Sequence, residues 1–133
     1  MFETGYQVAA LYVGLNALLL FALALNVGMR RGQQNALTPG ATGDETLVRA
    51  IRAHGNFTEY APFVMAILLI LALLKAPLPL LHLIGLVFTL GRVFHAFGMM
   101  QPQHPNTLRF IGNLSTGLVL LVGAAACLYY AIL

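Results

Sequence analysis

Four largely apolar stretches of this chain are each long enough to cross a bilayer as a helix, and the chain carries few charges. The stretches fall at about 6–29, 43–74, 79–99 and 106–132. Roughly 20 apolar residues in helical form cover a hydrocarbon core of ~30 Å. Inside that core every backbone N–H and C=O must find its partner within the protein, which leaves the helix as the form such runs can take. Composition agrees: 59% of the 133 residues are hydrophobic and only 8% are charged, with a mean hydropathy of +0.83. A soluble domain of this length needs far more charge to cover its surface. The expected fold is an all-α membrane protein, a single domain over residues 1–133 built as a four-transmembrane-helix bundle.

Several function classes drop out at once. The net charge of +3 is small and rests on seven basic residues, too few for a nucleic-acid footprint. Cys127 is the only cysteine, so there is no internal disulfide and no thiol pair for redox work. His54, His82, His95 and His104 show no zinc-like spacing with each other or with a carboxylate, so no metal is expected. The opening Met1–Tyr6 lacks the basic head of a cleavable signal peptide, so the first apolar stretch is expected to stay as a membrane helix. No internal repeat, lipidation motif or low-complexity tail is visible.

Helix 1 should end at Arg30 and Arg31, where basic groups suit both the helix C-terminus and a membrane surface. Thr38-Pro39-Gly40 signals a turn. Thr42 and Glu45 then read as a capping box opening helix 2. That helix is near 30 residues, or ~45 Å, so its first turns protrude and carry their charge to the interface. Pro62 inside it leaves the Thr58 carbonyl without its helical partner. Asn106 is the expected N-cap of helix 4 and places Arg109 in that helix's first turn. Four spans put both termini and Lys75 on one side, and Arg30, Arg31, Arg49, Arg52, Arg92 and Arg109 on the other. By the positive-inside rule, loops 30–42 and 100–105 are cytoplasmic and the termini lie opposite.

The chemistry concentrates between Arg49 and Pro62. Arg52, Asn56 and Glu59 stand at i, i+4 and i+7 and share one helix face, which Arg49 extends by a turn. Arg92 and His95 share a face of helix 3. Fixed charge entering a membrane segment is costly and marks function. Arginines held below the interface suit a polyanionic ligand with planar carboxylates, and a glutamate among them can hold an ammonium or pair an arginine. An internal Arg–Glu network that only sets helix register is the competing reading. No serine or cysteine lies near a base, so the reactive group of any enzyme here arrives on the ligand.

The runs Arg52-Ala53-His54-Gly55-Asn56-Phe57-Thr58-Glu59-Tyr60-Ala61-Pro62 and Gly91-Arg92-Val93-Phe94-His95 resemble the MAPEG family, the membrane-associated proteins of eicosanoid and glutathione metabolism. The likeness extends over the whole chain and is nearest to the microsomal glutathione transferase and prostaglandin E synthase members, in a bacterial-type form. It implies a homotrimer in a bacterial inner membrane, with glutathione as co-substrate bound near the cytoplasmic face between protomers. It implies glutathione-binding roles for Arg30, Arg49, Arg52, His54, Asn56, Glu59, Tyr60, Arg92 and His95. Arg109 and Arg31 match the arginines placed near the thiol, and so become the catalytic candidates. A thiol of pKa about 8.5 holds little thiolate at neutral pH unless positive charge favours it.

Two departures from the family pattern stand out. Met99 replaces a tyrosine that contacts glutathione in several members. The loop between helices 1 and 2 is short and has no aspartate before Asp44, which argues against a dedicated prostaglandin isomerase. The resulting expectation is a detoxifying glutathione S-transferase, with peroxidase activity as an extension. It would act on hydrophobic electrophilic small molecules dissolved among membrane lipids. A non-catalytic membrane module that binds a lipid or other ligand on the same fold is the alternative.

Overall fold

The computed structural model describes residues 4–35, 44–103 and 106–132. Four helices follow one another: α1 (Gly5–Gln33), α2 (Glu45–Leu73), α3 (Leu78–Met100) and α4 (Thr107–Ile132). Each is long and apolar enough to cross a membrane. Phe21, Phe63, Phe97, Phe110 and Leu121 are exposed apolar side chains on all four helices, a surface that water would not tolerate and lipid would. The chain is a multi-pass, all-α membrane protein.

The helix ends are set by local chemistry, not always where the sequence suggested. Thr4 caps α1 by a reciprocal box: its hydroxyl accepts from the Gln7 N–H while the Gln7 side chain accepts from the Thr4 N–H. α1 runs four residues beyond the expected end, so Arg30 and Arg31 lie within its last turn. The expected cap Thr42 and the turn Thr38-Pro39-Gly40 lie outside the described residues. Asp44 holds the N-cap of α2, its carboxylate accepting from the N–H groups of Thr46 (2.9 Å) and Leu47 (3.1 Å). The bond from the Thr46 hydroxyl, then those from the Leu47 N–H and the Gln34 side chain, hold this carboxyl down at about 2. Gln34, the C-cap of α1, also accepts from the Asp44 N–H at 2.9 Å, so it ties the end of α1 to the start of α2.

α2 and α3 form the middle of the bundle. α1 packs on both from one flank and α4 on both from the other, while α1 and α4 do not touch among the described residues. The buried face of α3 runs through Leu81, Ile84, Phe88, Arg92, His95 and Met99, a three-to-four-residue rhythm. Its seam with α4 is made of positions that lack a side chain. A Cβ on Gly112 would lie 2.5 Å from His95 Cβ and 2.6 Å from the Gly91 carbonyl oxygen. One on Gly98 would lie 2.5 Å from the Arg109 nitrogen. Close approach of helices through small residues is the usual packing device in lipid, where no hydrophobic drive exists between spans. On the other flank, Asn16 satisfies its donor by bonding the Thr89 hydroxyl (2.8 Å) and the Tyr12 carbonyl (2.9 Å). Tyr12 in turn pairs with His82 at 3.0 Å.

Asn106 does cap α4 and does more besides. Its Oδ1 accepts from the Arg109 N–H at 2.9 Å, and its Nδ2 donates to the Gly98 carbonyl at 2.7 Å. One side chain therefore closes the N-terminus of α4 and fastens it to the C-terminal turn of α3. Arg109 is fixed at the level where α3 ends.

Candidate functional site

A polar cleft opens where α2 begins, α3 ends and α4 begins. Its inner chamber, about 250 Å³, is lined from α2 by Arg52, Gly55, Asn56 and Glu59, from α3 by His95 and Met99, and from α4 by Arg109 and Asn113. An outer vestibule of about 530 Å³ shares Arg52, Met99 and Arg109 with it and adds Glu45, Arg49 and Pro102. Three further cavities among the described residues are lined mostly by apolar side chains.

The electrostatics of the cleft rest on which charges are already spent. Among the described residues the only ion pair is Arg49–Glu45 at 3.1 Å, an i, i+4 contact at the rim. Arg52, Glu59 and Arg109 line the inner chamber without any ion pair among those residues. The register network weighed from the sequence would have paired Glu59 with an arginine. Instead two guanidinium groups and one carboxylate face a common space.

Arg92 takes a different place from the one its sequence neighbours suggest. It is 1% exposed and lies behind the chamber wall. Its Nη2 donates to Asn56 Oδ1 (2.7 Å) and to His95 Nδ1 (2.6 Å), and its Nη1 donates to the Thr116 hydroxyl (3.2 Å). The Tyr60 ring lies under the guanidinium, 5.9 Å from its carbon to the ring centroid, a cation–π contact. Three helices thus converge on one buried arginine, and Asn56 and His95 are held by it.

The remaining candidates stand elsewhere. His54 lies on α2 two residues from Asn56, off the Arg52–Glu59 face, and lines neither chamber. Arg30 donates from Nε to Asn26 one turn back on α1. Arg31 shares that last turn of α1, on the flank away from α4. A single chain therefore gathers Arg49, Arg52, Asn56, Glu59, His95 and Arg109 but does not bring Arg31 to Arg109.

Asn113 is a cleft residue that the sequence reading passed over. The signal was present: Arg52-Ala53-His54-Gly55-Asn56 on α2 is echoed by Arg109-Phe110-Ile111-Gly112-Asn113 on α4. In both, the arginine and asparagine stand one turn apart on one face. The two pairs line the same chamber from two different helices.

Comparison with known proteins matches the sequence of this chain to one family. The MAPEG family model covers residues 9–129, nearly the whole chain. The chain belongs to the MAPEG family. Among MAPEG relatives, inner membrane protein YecN of Escherichia coli K12 is 34% identical over 126 residues, covering 93% of this chain and 92% of that protein. The uncharacterized protein sll1147 of Synechocystis sp. is 31% identical over 125 residues, covering 93% and 90%. The matched residues 9–129 run through all four helices.

Proposed function

We propose that this protein is a glutathione S-transferase of the bacterial inner membrane, with the arginine-bearing end facing the cytoplasm. The observation that carries the reading is a cleft whose inner chamber holds Arg52, Arg109 and Glu59, none of them ion-paired among the described residues. A tripeptide with two carboxylates and one ammonium supplies the missing partners. Arg52, with Arg49 at the rim, suits the carboxylates bidentately, and Glu59 suits the ammonium.

The thiol would then lie toward Arg109 and Asn113. Arg109 stands in the first turn of α4, so its own charge adds to the positive end of the helix dipole. Both favour the thiolate over the thiol, and the released proton leaves to water through the vestibule. The thiolate attacks a carbon of a lipophilic electrophile, a C–S bond forms and the displaced group departs with its electron pair. In the corresponding peroxidase reaction the thiolate attacks the terminal oxygen of a lipid hydroperoxide, and the O–O bond breaks to release the alcohol. A second glutathione converts the resulting sulfenic acid to glutathione disulfide and water. The exposed apolar flanks support delivery of that partner from the bilayer. A homotrimer with each cleft completed by a neighbour's α1 would bring Arg31 to the site.

Detergent-solubilised protein titrated with glutathione is expected to develop the ultraviolet band of a thiolate at neutral pH. It should also conjugate an aryl halide at a rate well above the solution reaction. Saturable glutathione binding without thiolate or turnover would favour the non-catalytic ligand-binding alternative. Absence of glutathione binding would overturn the transferase reading and favour the module that binds a lipid or other ligand.

A further inference from the structure

We infer that Arg92, which does not itself line the cleft, fixes the hydrogen-bond polarity of the cleft wall by making donors of both Asn56 and His95. Asparagine and neutral histidine can each present a donor or an acceptor, whereas a guanidinium has only N–H donors. Arg92 Nη2 lies 2.7 Å from Asn56 Oδ1 and 2.6 Å from His95 Nδ1, so both of those atoms must accept. For Asn56 this consumes the carbonyl oxygen and turns the amide N–H₂ toward the chamber. For His95 it consumes the Nδ1 lone pair, which places the ring proton on Nε2.

His95 is 2% exposed, yet it lines the chamber. Among the described residues the fully buried side-chain nitrogens and oxygens without a partner are Asn16 Oδ1 and Arg92 Nε. His95 Nε2 is not one of them and bonds no other side chain, so the small accessible part of the ring includes that atom. Arg92 is itself held in place. The Thr116 hydroxyl donates to the Gly112 carbonyl at 2.9 Å and so offers its lone pair to Nη1. The guanidinium cannot rotate away without leaving a second nitrogen buried and unpaired.

The chamber wall is therefore donor-rich. Arg52, Arg109, Asn56 and His95 all donate, Glu59 is the one fixed acceptor, and Asn113 can do either. Such a wall selects a ligand with several anionic acceptors and a single ammonium, and rejects a neutral or acceptor-poor analogue of similar size. The inference rests on the transferase reading only for the identity of that ligand. For the reaction it removes one role: with its Nδ1 lone pair engaged, His95 does not take the thiol proton. It donates from Nε2 to a carboxylate or to the thiolate. Arg92 is then a positioning residue, and Asn56 and His95 touch the ligand.

Two measurements test this. The first needs no ligand: nitrogen-15 NMR of histidine-labelled protein in detergent, with His95 assigned by its loss in His95→Gln. A neutral ring protonated at Nε2 is expected. A ring protonated at Nδ1, or an even mixture of tautomers, would overturn the inference. The second is glutathione binding to Asn56→Asp, which keeps an acceptor for Arg92 and turns an acceptor oxygen toward the chamber. Affinity is expected to fall at least tenfold while the thermal unfolding midpoint is retained. Undiminished binding would mean that Asn56 offers an acceptor to the ligand, and would overturn the inference. If wild-type protein fails to bind glutathione but His95 carries its proton on Nε2, the transferase reading fails and the donor wall stands.

Discussion

At the scale of single residues, the proposed transferase chemistry divides two tasks between two helices. Arg109 reaches the chamber from α4, whereas Glu59 and Asn56 reach it from α2. Replacing Arg109 by alanine should move the midpoint of thiolate formation up by about 1–3 pH units, as expected for removing a close opposite charge. Absorbance of the glutathione complex as a function of pH reads this directly. Glu59→Gln should leave that midpoint in place and weaken glutathione binding about tenfold to a hundredfold, the worth of a charge-assisted hydrogen bond. Asn113→Ala, on the same face as Arg109, should affect turnover more than binding. Equal losses in all three variants, accompanied by lowered thermal stability, would instead describe a structural network.

At the scale of helices, the seam between α3 and α4 sets how near His95 comes to Arg109. Gly112→Ala places a methyl group where His95 already sits, and overpacking of this kind costs about 1–3 kcal/mol. Gly117 on the same helix has nothing within 4 Å, so Gly117→Ala should be neutral or slightly stabilising by comparison. Thermal unfolding of the two variants in one detergent separates packing from helix propensity. The α2 cap makes a pH prediction. Asp44 titrates at about 2, below its ordinary 3.8, so its contribution is complete above the ordinary value and is lost as pH falls toward 2. Unfolding midpoints measured between pH 4 and pH 2 should therefore fall more steeply in the wild type than in Asp44→Asn.

These same elements show what was legible beforehand. The four spans could be read because hydrocarbon forces every run to be a helix, and the Arg52–Asn56–Glu59 face because 3.6-residue periodicity places it. Asn106 could be read because a cap is a local device. The choice of Asp44 over Thr42 could not, since both residues suit an N-cap and Gln34 on another helix is one of the partners of Asp44. Nor could the burial of Arg92, because it depends on Thr116 and Gly112 approaching from α4, a contact that no spacing within α3 encodes.

At the scale of the whole molecule, the proposed site extends beyond a single chain. α1 and α4 occupy opposite flanks, so Arg31 and Arg109 can share a site only across a boundary between copies. Native mass spectrometry is expected to show trimers. Co-expression of Arg31→Ala with Arg109→Ala should restore part of the activity that each lacks alone, because mixed assemblies contain some intact sites. No recovery in verified mixed trimers would place the two arginines in separate roles. The glycine seam has its own consequence for how the molecule would look under saturation mutagenesis. Gly91, Gly98 and Gly112 bear no functional atom, yet the space beside each is already filled by Ser115, by Arg109 and Asn106, or by His95. A map of tolerated substitutions would therefore rank these three bare positions beside Arg109 itself. Exposed apolar side chains on the outer face of α4, such as Leu121, would exchange readily for other apolar residues.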